Sequence, residues 1–156
     1  MARLGLRAGE VAAVQITDVD WRTGQLTVRG KGNRLDALPL PADVGEALAD
    51  YVQYARPRTP ASASLFVRAV APFGPMRTGT ITGLVHRACQ RAGVTPFGPH
   101  RLRHAVACSL LAEGASLEEI GQLLRHYEQS TTSQYARVDL ARLGELAMPC
   151  PIGAVR

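Results

Sequence analysis

The sequence predicts a mainly α fold with a small antiparallel three-stranded sheet near its N-terminus. Three observations predict it. Short strand-like runs separated by turn residues crowd into residues 16–40, and beyond residue 41 apolar residues recur at helical spacing. Late in the chain, Ser116-Leu117-Glu118-Glu119 has the pattern of a capping box opening a helix. With 156 residues, 46% of them hydrophobic, the chain is long enough for one compact domain with its own core.

A short helix is expected over residues 8–15, just after the turn Gly5-Leu6-Arg7. Ile16 to Trp21, Gln25 to Arg29 and Asp36 to Leu40 read as three strands, separated by Thr23-Gly24 and by the turn at Gly30-Lys31-Gly32-Asn33. Pro41 suits a helix start, and Val44, Ala47, Leu48, Tyr51 and Val52 then fall on one helical face. Residues 55–64 are a loop rich in Pro, Ala, Ser and Arg, with a brief strand at Leu65-Phe66-Val67. Thr78 is the expected cap of a helix that turns Ile81, Leu84, Val85 and Ala88 inward and presents Arg87 and Arg91 on its other side. A helix with Leu102, Val106, Leu110 and Leu111 follows Pro99, and the capping box opens another that ends at Leu124. Ser130 is expected to cap a helix containing Tyr135, and Asp139 a last one with Leu140, Leu143 and Leu146. The tail 149–156 is expected to be flexible, leaving 1–148 as the domain.

Several function classes are disfavoured at once. No apolar run approaches the roughly 20 residues of a membrane-spanning helix, and no apolar leader precedes Arg7. Three unevenly spaced cysteines, Cys89, Cys108 and Cys150, fit a reducing cytoplasm better than a disulfide framework. The charge is uneven. Lys and Arg number 18 against 13 Asp and Glu, and residues 51–100 hold six arginines with no acid at all. Such a basic segment suggests a polyanionic partner, nucleic acid first. A solvated surface that happens to be arginine-rich is the competing reading.

Lysine is the other anomaly. Of the 18 basic residues, Lys31 alone is lysine, and it stands at the tip of the expected hairpin. An ammonium can release its proton where a guanidinium effectively cannot, which makes Lys31 a candidate general acid. His100-Arg101-Leu102-Arg103-His104 opens a helix, so His100 and Arg103 share a face beside free N–H groups that favour anions. His100, His104 and Cys108 also form an i, i+4, i+8 stripe that admits a metal reading. The adjacent Arg103 and the lack of a carboxylate or a CxxC pattern count against it, and no metal is assigned. His104 also has a plainer reading, as a packed or capping side chain. On spacing alone the chain is a phosphate-binding, DNA-directed domain.

Taken together, the segments resemble the catalytic domain of the tyrosine recombinases, the phage integrase family, from about Gly5 to Val138. Gly5-Leu6-Arg7-Ala8-Gly9-Glu10 resembles the family's first arginine motif, and the hairpin tip Gly30-Lys31-Gly32-Asn33 its lysine-bearing turn. Pro99-His100-Arg101-Leu102-Arg103-His104 resembles the His-x-x-Arg motif. Leu124-Arg125-His126, then Ser130-Thr131-Thr132 to Tyr135, resemble the closing histidine and the nucleophilic tyrosine. The family's functional positions fall on Arg7, Lys31, His100, Arg103, His126 and Tyr135.

The resemblance implies site-specific recombination or integration of double-stranded DNA, as in a mobile element, through a 3′-phosphotyrosine and without a cofactor. Tyr135 would attack, Arg7, Arg103 and His126 would stabilise the phosphorane, Lys31 would protonate the leaving 5′-oxygen, and His100 would serve as base. Glu10 would orient Arg7. A cytoplasmic, nucleoid-associated protein is implied, monomeric alone and tetrameric on paired DNA sites, with residues 139–148 packing between protomers. Two departures stand out. Arg125 occupies a position that is commonly glycine in the family. Arg7 lies so near the N-terminus that an N-terminally truncated domain without the DNA-clamping domain is expected. The alternative reading is therefore a truncated, inactive DNA-binding remnant.

Overall fold

The computed structural model describes residues 1–30, 34–58 and 62–125. The chain divides into two compact units, Met1–Ser109 and Leu110–Arg156. As the sequence predicts, the fold is mainly helical with one small antiparallel sheet. Helix α1 spans Ala8–Ala13, and strands β1 (Val19–Asp20), β2 (Gln25–Arg29) and β3 (Leu35–Pro39) form a meander in the order β1-β2-β3. Helix α2 (Ala42–Asp50), α3 (Thr78–Arg91), α4 (Pro99–Ala112) and α5 (Leu117–Leu123) follow. None of the described helices is long and apolar enough to cross a membrane.

The first unit is built on the sheet. Alternation along β2 turns Leu26 and Val28 inward, and the register pairs Leu26 with both Val19 and Leu38. These residues join Leu4, Leu6, Val14 and Leu65 in one buried cluster, against which Leu48, Val52 and Phe66 pack. Each fully buried Leu or Val contributes about 1.5–3 kcal/mol relative to its exposed state. The cluster thus fixes the segment Leu4–Leu6, which leads straight into Arg7.

The first expected strand is largely absent. Ile16–Asp18 form a 3₁₀ turn because the Asp18 carboxylate accepts from the Gln15 backbone N–H at 2.8 Å. The strand that follows is only two residues long, because Asp20 Oδ1 accepts from the N–H groups of Arg22 (2.9 Å) and Thr23 (3.1 Å) and folds the chain into a turn. The expected strand at Leu65–Val67 is reduced to isolated bridges, Gln15 with Ser64 and Val67 with Pro75. Arg56 explains it: its guanidinium donates to the carbonyls of Leu65 (3.1 Å), Ser62 (2.9 Å) and Ser64 (2.9 Å), groups a strand partner would otherwise take. Beyond Asp50 the second helix continues as a π-helical turn, Tyr51–Ala55, and the Tyr51 hydroxyl accepts from the Val67 N–H at 3.3 Å.

Helix α3 is rotated from its expected face. On α3 the fully buried residues are Ile81 and Cys89, with Leu84 exposed. Its partner α1 is only six residues long, so it covers a narrow stripe and leaves Leu84 outside. Arg77, not Thr78, occupies the N-cap position of α3. On α4 the fully buried residues are Arg103 and Ala107, while Leu102, Val106, Leu110 and Leu111 are half-buried.

In the second unit, α5 opens on the expected capping box. Ser116 Oγ accepts from the Glu119 N–H at 3.2 Å, and the Glu119 carboxylate accepts from the Ser116 N–H at 2.8 Å. Leu124 is its C-cap, and Arg125 follows with φ +55°. The expected helices at Ser130 and Asp139 and the tail 149–156 lie outside the described residues.

Candidate active site

Arg7 sits at the N-cap of α1 with extended backbone. Glu10, three residues on, holds it twice: one carboxylate oxygen accepts from the Arg7 backbone N–H (2.8 Å), the other from its Nη1 (2.7 Å). The Glu10 side chain is 6% exposed and that of Arg7 44%. A buried carboxylate needs a paired charge, so Glu10 fixes one edge of the guanidinium while the rest stays accessible.

Arg103 reaches the same place from the other end of the first unit. It is 2% exposed, and its Nη1 donates to the carbonyl of Gly5. Gly5 has φ +57°, a left-handed conformation that suits glycine. His100 precedes Arg103 by one turn of α4, near the start marked by Pro99.

These side chains meet in one pocket of about 340 Å³, lined by Leu6, Arg7, Ala8, Gly9, Thr78, Thr82, Pro99, His100 and Arg103. Its walls are the opening turns of α1, α3 and α4. The two 14-residue helices bring the positive ends of their dipoles to it, and no side chain caps α3 at Arg77. Two guanidiniums and two helix starts around one cavity suit an anion with several oxygens.

Three of the six expected site residues, Arg7, His100 and Arg103, thus line one pocket. Lys31, His126 and Tyr135 lie outside the described residues. Thr78 and Thr82 were not anticipated as lining residues. Thr78 carried only a capping signal, and nothing local ties α3 to the arginine motifs.

His104, one turn beyond His100, makes a close side-chain contact with it. Their Nε2 atoms are 2.8 Å apart, and the rings meet edge to face with centroids 4.4 Å apart. Burial, then the charges of His100 and Arg103, push the His104 imidazole below its usual range. Two imidazole nitrogens on one tetrahedral zinc would stand about 3.3 Å apart, so the separation here is that of a hydrogen bond. Among the described residues no three His, Cys, Asp or Glu side chains cluster as a metal site. Burial raises the Cys108 thiol.

The basic middle segment divides into two kinds of arginine. Arg58, Arg77, Arg87 and Arg91 are exposed, whereas Arg56 is bound into the loop it stabilises and Arg68 is half-buried.

Comparison with known proteins gives a consistent picture. The family model described as the phage integrase family matches residues 1–142. A Sinorhizobium fredii protein named as an integrase/recombinase is 48% identical across 97% of this chain, which covers 37% of that protein. The tyrosine recombinase XerC of Bifidobacterium longum is 34% identical across 89% of this chain, which covers 41% of it. The crystal structure of XerA recombinase superposes with a TM-score of 0.78 at 29% identity, over 93% of this chain and 53% of that one. The chain therefore spans well under half the length of these two curated relatives.

Proposed function

The chain belongs to the phage integrase family, and on that premise we propose that it carries the catalytic centre of a DNA strand transferase for site-specific recombination. The observation that carries the proposal is the single pocket into which Arg7, His100 and Arg103 converge at the starts of two long helices.

In this reading the pocket receives a scissile phosphodiester of duplex DNA. Tyr135 Oη attacks the phosphorus as its proton passes to His100, and the 5′-oxygen leaves with a proton from Lys31. The products are a 3′-phosphotyrosine and a free 5′-hydroxyl. Attack by a second strand's 5′-hydroxyl reverses the step, so the bond energy is conserved and no nucleotide cofactor enters. The extra charge of the phosphorane falls between Arg7 and Arg103, with His126 donating a further hydrogen bond. Preorganised charge of this kind is commonly the largest catalytic contribution. Glu10 and Gly5 support it, because each holds one arginine in place before substrate arrives. A tyrosine with an ordinary pKa near 10 is a weak nucleophile at neutral pH and requires both the base and the arginine field.

Exposed Arg77, Arg87 and Arg91 on and beside α3 supply the backbone contacts to DNA in this reading. Incubation with nicked duplexes from the protein's native locus tests it, since the cleaved fragment diffuses away and religation cannot erase the intermediate. The expected result is an SDS-resistant protein–DNA adduct that is lost in Tyr135→Phe while duplex binding persists. Binding without an adduct in the unaltered chain would refute the catalytic reading and leave a DNA-binding module.

A further inference from the structure

We propose that His104 is a positioning residue for His100: its Nε2 accepts a hydrogen bond from His100 Nε2–H, and so leaves His100 Nδ1 as the basic nitrogen. The inference rests on the catalytic reading above for its consequence, but on the geometry of the pair for its content.

A contact of 2.8 Å between two Nε2 atoms requires one of them to carry a proton and the other a lone pair. The two orientations have different outcomes. With His104 as donor, the His100 proton sits on Nδ1, and the site presents a donor where a base is needed. When His100 then takes up a proton, two N–H groups face each other and the contact breaks. With His104 as acceptor, His100 offers a lone pair at Nδ1, and on becoming imidazolium it keeps its Nε2–H bond to a neutral partner. That bond strengthens as it becomes charge-assisted. The proton from Tyr135 Oη thus ends on His100 Nδ1, and no proton leaves Nε2.

The surroundings select the second orientation. His104 is half-buried beside the buried Arg103, whereas His100 is exposed at the pocket. A positive charge is therefore costlier on His104, whose imidazole burial and neighbouring charge hold below its usual range. Among the described residues, the other charged groups of this turn and the pocket are Arg101 and Arg103 on α4 and the Arg7–Glu10 pair at the start of α1, while α3 brings the uncharged Thr78 and Thr82 to the pocket.

Long-range ¹⁵N–¹H correlation spectra of the labelled, full chain between pH 5 and 9 test the pairing without DNA. The expected result is His100 as the Nε2–H tautomer when neutral. In His104→Leu the Nε2–H population of His100 falls to that of an unpaired imidazole. In His104→Gln, whose Oε1 lies as many bonds from the backbone as Nε2, the Nε2–H excess is retained. Neutral His100 as the Nδ1–H tautomer, or an unchanged Nε2–H population in His104→Leu, would overturn the proposal. On nicked duplex the Leu variant is expected to form adduct about tenfold more slowly at equal duplex affinity, with Gln close to the unaltered chain. Equal rates for Leu would overturn the positioning role. If the unaltered chain forms no adduct, the catalytic reading fails, and the imidazole spectra still decide the pairing.

Discussion

Arg103 donates from its Nη1 to the carbonyl of Gly5, 98 residues earlier in the chain. This hydrogen bond ties the start of α4 to the segment that delivers Arg7, so two arginine motifs separated by most of the first unit become one site. Both guanidiniums line the same pocket, and each is already held by the protein, Arg7 on Glu10 and Arg103 on Gly5. An anion entering the pocket meets donors whose orientation is largely fixed beforehand.

Arg103→Lys tests that tie. Lysine keeps the charge but lacks the planar fork, so it cannot bond Gly5 and face the pocket together. Leaving the Gly5 carbonyl without this donor costs about 1–3 kcal/mol, read as a lower Tm. Adduct formation on nicked duplex is expected to fall by about 100-fold or more. A lysine variant of unchanged Tm and rate would show that the link is incidental.

Glu10→Gln separates orientation from charge. The amide oxygen still accepts from the Arg7 backbone N–H, but the ion pair to Nη1 is gone. Because the Arg7 side chain is 44% exposed, the stability cost is small, about 1 kcal/mol or less. The cleavage rate is expected to fall about 10- to 100-fold through loss of alignment, with duplex affinity little changed. Single-turnover rates with a parallel binding titration check this.

Arg125 stands with φ +55°, which explains why glycine suits its position. Substitution by glycine or alanine removes the same buried side chain, so comparing the two isolates the backbone. Arg125→Gly is expected to be more stable than Arg125→Ala by about 1 kcal/mol in urea denaturation. Equal stabilities would contradict the left-handed backbone.

The lowered His104 pKa gives stability a pH dependence of definite sign. Its folded-state value lies below the ordinary 6.5, so the unfolded chain binds the proton more readily. Its contribution is complete above about 6.5 and is lost as the pH falls through the folded-state value. Urea midpoints from pH 7.5 down to 5 should drop, and His104→Gln should flatten that part of the curve. A midpoint that rises on acidification would contradict the assignment.

The arginines of residues 51–100 should divide by function. Arg87→Ala and Arg91→Ala, both exposed on α3, are expected to weaken duplex binding and each reduce the salt slope by about one, with Tm unchanged. Arg56→Ala should instead lower the Tm, because it strips the donor from three loop carbonyls. Salt titrations of binding and thermal melts distinguish the two classes.

Much of this was legible in the sequence because it depends on near neighbours. The hairpin of β2 and β3, the capping box at Ser116 and the helix start at Pro99 are local features, and the structure forms each of them. Arg7, His100 and Arg103 were named from short motifs, and those motifs also place them on helix starts. What the sequence withheld depends on contacts far along the chain. The face of α3 is set by how little of it α1 covers, so Leu84 lies outside. The burial of Arg103 follows from Gly5, and the lining role of Thr78 and Thr82 from the approach of α3 to the pocket. Asp18 and Asp20 broke the first strand by local turns that its apolar pattern masked.

Whether Tyr135 makes the covalent bond to DNA is decided by peptide mapping of the adduct. Trypsin cleavage after Arg125 and Arg137 releases residues 126–137, which hold both Tyr127 and Tyr135. Fragmentation of the nucleotide-bearing peptide from a nicked-duplex reaction therefore distinguishes them. The nucleotide is expected on Tyr135 through a phosphate ester, with none in Tyr135→Phe. A nucleotide on Tyr127 or on any other side chain, or an adduct that survives in Tyr135→Phe, would contradict that assignment.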